Sequence, residues 1–108
     1  MSISLTGPIA SYFSARQAFN IDAILEPFAE NAVVKDENEE HRGLRAIRFW
    51  VERTTAQYHA TVKPQSATDA SDETIVSGLV SGDFEGSPVL LEHTFTLAGQ
   101  KISRLEIS

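Results

Sequence analysis

The run Ala32-Val33-Val34-Lys35-Asp36, the polar stretch 37–42 after it, and the glycine-led helical run 43–58 together constrain this chain more than any other feature. A short apolar run rich in β-branched residues reads as a strand. The polar stretch reads as a turn that reverses the chain, and Gly43 opens an amphipathic helix. That order hands Asp36 from the end of a strand to the mouth of a pocket rather than to open water.

Before this unit, Thr6 is placed to cap a first helix with Pro8 in its opening turn, where a missing N–H does no harm. Ile9, Tyr12, Phe13, Arg16 and Phe19 then fall on or near one face, and Asn20 marks a stop. Asp22 is expected to cap a short second helix carrying Ile24, Leu25 and Phe28, with Pro27 kinking it. In the third helix Ile47, Trp50, Val51, Thr54, Thr55 and Tyr58 share a face, which predicts packing against a sheet.

Beyond His59 the periodicity shifts toward two. Segments 61–68, 74–84, 89–97 and 102–107 read as strands, joined by Asp69-Ala70-Ser71-Asp72, Glu85-Gly86-Ser87-Pro88 and Ala98-Gly99-Gln100. Short connections of this type join antiparallel neighbours. Helices first and consecutive strands afterwards indicate an α+β architecture, with helices covering one face of a curved antiparallel sheet. At 108 residues the chain reads as one domain, 1–108.

Composition narrows function by exclusion. A formal net charge of -6 argues against nucleic acid or an anionic membrane as partner, since both require a field of Lys and Arg. The absence of cysteine removes disulfides, thiolate nucleophiles and Cys-type metal centres. Stretch 36–40 resembles the start of a calcium loop, but His41 and Ile47 stand where such a loop needs glycine and a bidentate glutamate. No metal site is expected. With no basic leader and no spanning apolar run, a cytoplasmic location is the expectation.

Three ordered segments, Phe28-Ala29-Glu30-Asn31-Ala32-Val33-Val34, Gly43-Leu44-Arg45-Ala46-Ile47 and Phe95-Thr96-Leu97-Ala98-Gly99-Gln100-Lys101-Ile102, resemble the nuclear-transport-factor-2-like superfamily, which includes SnoaL-like polyketide cyclases and ketosteroid isomerase. The resemblance implies a cone-shaped, cystatin-like fold with a cavity between helices and concave sheet, and a homodimer through sheet surfaces. Asp36 and Tyr12 match, at the same separation, the isomerase's general-base aspartate and oxyanion-hole tyrosine. The isomerase's second, protonated aspartic acid falls on Leu91 here, so that oxyanion hole is not carried over as a whole.

The residues themselves weigh as follows. Asp36, walled by apolar groups, would lose hydration and become a competent proton acceptor; its bland alternative is an exposed turn carboxylate. Tyr12 offers an O–H donor to developing oxyanion charge, against the alternative of a core aromatic. His93 shares a strand face with Leu91 and Phe95 and could act as an auxiliary acid/base, or simply be a satisfied buried imidazole. Trp50, Tyr58, Phe84, Leu91 and Phe95 are the candidate walls for an apolar or aromatic ligand. The expected function is binding of such a molecule with cofactor-free acid/base chemistry of isomerase, cyclase or dehydratase type. The alternative is a noncatalytic carrier or a dimeric interaction module of the same fold.

Overall fold

The computed structural model describes residue 5 and residues 7–108; the expected cap Thr6 lies outside them. Helix α1, Gly7–Ala18, buries Ile9, Tyr12, Phe13, Ala15 and Arg16 along one stripe. Phe19, expected to extend the stripe, instead takes a left-handed conformation that ends the helix and is exposed.

Asn20, read as a stop, is also the start of α2, Ile21–Leu25: its side chain accepts from the Ala23 N–H at 3.1 Å. Asp22, the expected cap, lies inside the first turn and accepts from the Arg48 guanidinium at 2.6 Å. The helix stops at Leu25 because Pro27 cannot continue it, and Phe28 begins a strand rather than completing a helix.

Strand β1, Phe28–Asp36, is longer than the apolar run 32–36 and carries a register irregularity between Phe28 and Val33. The polar stretch after it is mostly strand, a correction to its reading as a turn. Only Glu37 and Asn38 turn, both with positive φ, and β2, Glu39–Arg42, pairs back on β1 in antiparallel register. Two central residues with positive φ have the hand that matches strand twist. The charged face of β2 is acceptable because it forms an edge of the sheet.

Helix α3, Gly43–Tyr58, packs Ile47, Trp50, Val51 and Thr54 against β1. His59 closes it in a left-handed conformation, with its N–H bonded to the Thr55 carbonyl. Strands β3 (Thr61–Ala70), β4 (Glu73–Ser81), β5 (Val89–Ala98) and β6 (Lys101–Ile107) follow as antiparallel neighbours. β4 ends at Ser81, so Phe84 sits in the connection to β5 rather than in a strand as expected.

The sheet order is β2-β1-β6-β5-β4-β3, and β1 pairs β6 in parallel. The expected all-antiparallel sheet therefore has one exception. Its cause is topological: β1 and β6 are joined through α3 and four further strands rather than by a hairpin. The result is an α+β fold in which helices pack on one face of a curved, unclosed sheet. Tyr12 anchors the core between them, meeting Phe13, Phe28 and Phe95 edge-on at ring-centroid distances of 5.3, 5.7 and 5.6 Å.

Candidate active site

Alternation along β1 sends Ala32, Val34 and Asp36 to the same, helix-facing side. The first two are buried and Asp36, at the strand's end, is half-buried. There it lines a cavity of about 490 Å³ between the helices and the sheet. The Trp50 indole N–H, reaching across from α3, donates to Asp36 Oδ2 at 3.1 Å. Burial holds the Asp36 carboxyl above its ordinary range, against the opposing effect of that hydrogen bond; Glu37 adds to the rise, and Arg16 and His41 oppose it. Arg42 is turned to Glu40 at 3.2 Å and takes no part.

Tyr12, among the residues that line the cavity, is fully buried, and its hydroxyl has no hydrogen-bond partner among the described residues. Burial raises its pKa, so the phenol stays protonated and can donate. A buried O–H lacking an acceptor is costly unless something entering the cavity supplies one.

His93 is 1 % exposed, and its Nδ1–H donates to the Leu91 carbonyl at 3.1 Å. Burial lowers its pKa to about 4, so the imidazole is neutral near pH 7. It can exchange hydrogen bonds with a ligand but does not enter the cavity as a cation. Gly78 on the neighbouring strand makes this position available: a Cβ there would stand 3.0 Å from His93 Cε1 and 2.8 Å from Val62 Cγ1.

The structure gathers Tyr12, Asp36, His93, Trp50, Tyr58, Phe84 and Leu91 around one cavity. Phe95 is the correction. It lies behind the wall, fully buried against Tyr12, Phe13 and His93, because its place on β5 lies under α1. Tyr58 and Phe84 meet edge-on at 5.8 Å, and the Tyr58 hydroxyl donates to Glu37 Oε1 at 3.3 Å, on the cavity's solvent side.

Sequence reasoning missed Arg16 as a site residue. It follows Tyr12 by one helical turn, is buried, and lines the same cavity. The available signal was an arginine four residues after a candidate tyrosine on an otherwise apolar helix face. His41 was also undervalued: it is buried and stacks on Trp50 at 6.0 Å, behind the indole that holds Asp36. Among the described residues no cluster of His, Asp and Glu has metal-binding geometry, and no helix is long and apolar enough to cross a membrane.

Residues 9–105 match the family described as the SnoaL-like domain. A candidate polyketide cyclase from Sinorhizobium meliloti superposes with a TM-score of 0.92 at 38% identity, over 96% of this chain and 95% of that one. A protein of ketosteroid isomerase-like fold from Catenulispora acidiphila, in complex with trimethylamine, gives 0.83 at 19% identity over 97% and 86%. Rv0760c from Mycobacterium tuberculosis, in complex with estradiol-17β-hemisuccinate, gives 0.80 at 16% identity over 94% and 93%. No functionally curated sequence matches the chain.

Proposed function

The chain belongs to the SnoaL-like domain family, within the nuclear-transport-factor-2-like superfamily, and from that premise we propose that its cavity binds an apolar or aromatic small molecule and performs cofactor-free proton transfer on it. One observation carries the reading: a half-buried carboxylate with raised pKa shares a cavity with a buried tyrosine hydroxyl that has no acceptor among the described residues. Asp36 takes a proton from a carbon beside a carbonyl, and Tyr12 donates to the oxygen on which charge develops. His93, neutral, hydrogen-bonds the substrate. Isomerisation, cyclisation and dehydration all begin from such an enolate. The 38%-identical structure of a candidate polyketide cyclase, and a fold relative that holds a steroid ester, support a substrate of this kind.

Hydrogen–deuterium exchange of 2-tetralone in D2O, followed by NMR, tests the reaction without knowledge of the natural substrate. The wild-type protein should accelerate exchange, and Asp36→Asn should lose about a hundred-fold or more of that acceleration with little change in melting temperature. Binding of the ketone without any acceleration would favour the noncatalytic carrier instead. The reading also includes a cytoplasmic protein that forms a homodimer through the outer sheet face.

A further inference from the structure

Proton transfer as described leaves Arg16 without a role. It is 8 % exposed, its Nε has no partner among the described residues, and none of the ion pairs among those residues includes it. A guanidinium taken from water is costly unless a carboxylate or phosphate receives its fork of donors. The acid on the same wall, Asp36, is engaged by Trp50 instead. Arg16 lines the cavity one turn from Tyr12, so its missing acceptor would have to come from whatever enters.

We propose that the natural ligand is a monocarboxylate with an apolar or aromatic body, its carboxylate received by the Arg16 guanidinium; this rests on the reading of the cavity as a ligand site. The charge count selects a single negative charge. Arg16 is the only Lys or Arg among the lining residues, His93 adds no second cation, and Asp36 and Glu37 stand nearby. A phosphate dianion would leave an uncompensated charge in a low-dielectric space. The remaining walls, Val62, Val80, Leu91 and Phe84 among them, offer apolar surface to the body of the ligand. Tyr12 stays available for the carbonyl oxygen, so the substrate class becomes an apolar oxo acid.

Titration calorimetry with 2-naphthoate and its neutral isostere 2-naphthamide tests the assignment. In the wild-type protein the carboxylate should bind about ten-fold or more tightly than the amide, the value of a charge-assisted hydrogen bond in a buried setting. Arg16→Gln should abolish that preference, and Arg16→Lys should retain part of it. Equal or tighter binding of the amide to the wild-type protein would overturn the proposal alone, whether or not the Arg16→Gln variant folds. So would a carboxylate preference that survives Arg16→Gln. Failure of both compounds to bind at millimolar concentration would overturn it together with the reading of the cavity.

Discussion

At the scale of single residues, the site is a set of groups whose burial and pairing do not match. Asp36 and His93 are both pushed toward their neutral forms, Asp36 upward and His93 down to about 4. Their effects on stability are therefore opposite in sign. An unfolded histidine binds its proton near pH 6.5 and the folded one only near 4, so the unfolded state gains protons between those values and stability falls as pH drops through them. Asp36 contributes the reverse, because the folded carboxyl takes its proton first as pH falls. His93→Asn should accordingly lose less stability than the wild-type protein between pH 6.5 and 4, by up to roughly 3 kcal/mol. Chemical denaturation at a series of pH values reads this directly, and parallel curves for the two proteins would refute it. The placing of Asp36 at a strand end and Tyr12 on a helix face was legible because both are local properties, while their pairing as site residues came from the family resemblance. Arg16 was not, since an arginine on a helix is usually solvated, and only the closure of the sheet under α1 removes it from water. Phe95 shows the converse limit: strand alternation gives the face of a residue but not whether a helix covers that stretch.

At the scale of elements, the glycine on β4 is what allows a histidine on β5. Gly78 is buried between Val62 and the His93 ring, both closer to its hypothetical Cβ than side chains ordinarily come. Gly78→Ala should therefore push His93 from its bond to the Leu91 carbonyl and narrow the cavity, destabilising the fold by about 1 to 3 kcal/mol. The His93 ring resonances in NMR would report the displacement; unchanged shifts and an unchanged denaturation midpoint would count against it. Periodicity made α1, α3 and the four C-terminal strands legible, because their turns are short and their faces alternate cleanly. It could not separate β2 from a loop. Four residues of mixed charge carry no apolar signal, and only pairing to β1 across the Glu37-Asn38 turn makes them a strand. Nor could it show that β1 lies parallel to β6, since that pairing is between residues far apart in the chain.

At the scale of the whole molecule, one face of the sheet is covered by helices and the other is open. On the open face Leu79 of β4 stands directly across from Leu90 of β5, and Ile75 across from Thr94, with Thr96 one step further along. Leu90, which pairs with β4 on one side and extends past the end of β6 on the other, is 58% exposed. These apolar side chains, interrupted by the Ser77–Glu92 pair, mark the face through which the proposed second copy would pack on a chain with net charge -6. Glu92 on the same face would repel a carboxylate set against it, while Arg104 is already paired within the chain, with Glu40 at 3.8 Å and Glu106 at 3.6 Å. Sedimentation velocity at micromolar concentration should give the mass of a dimer for the wild-type protein. Leu90→Glu, which puts another acid into this face without touching the core, should give a monomer that keeps its ligand cavity and its melting behaviour at low protein concentration. A wild-type monomer at that concentration would remove the homodimer from the account, and with it the reason for this sheet face to carry leucine where Ser77 and Glu92 show that polar residues fit equally well.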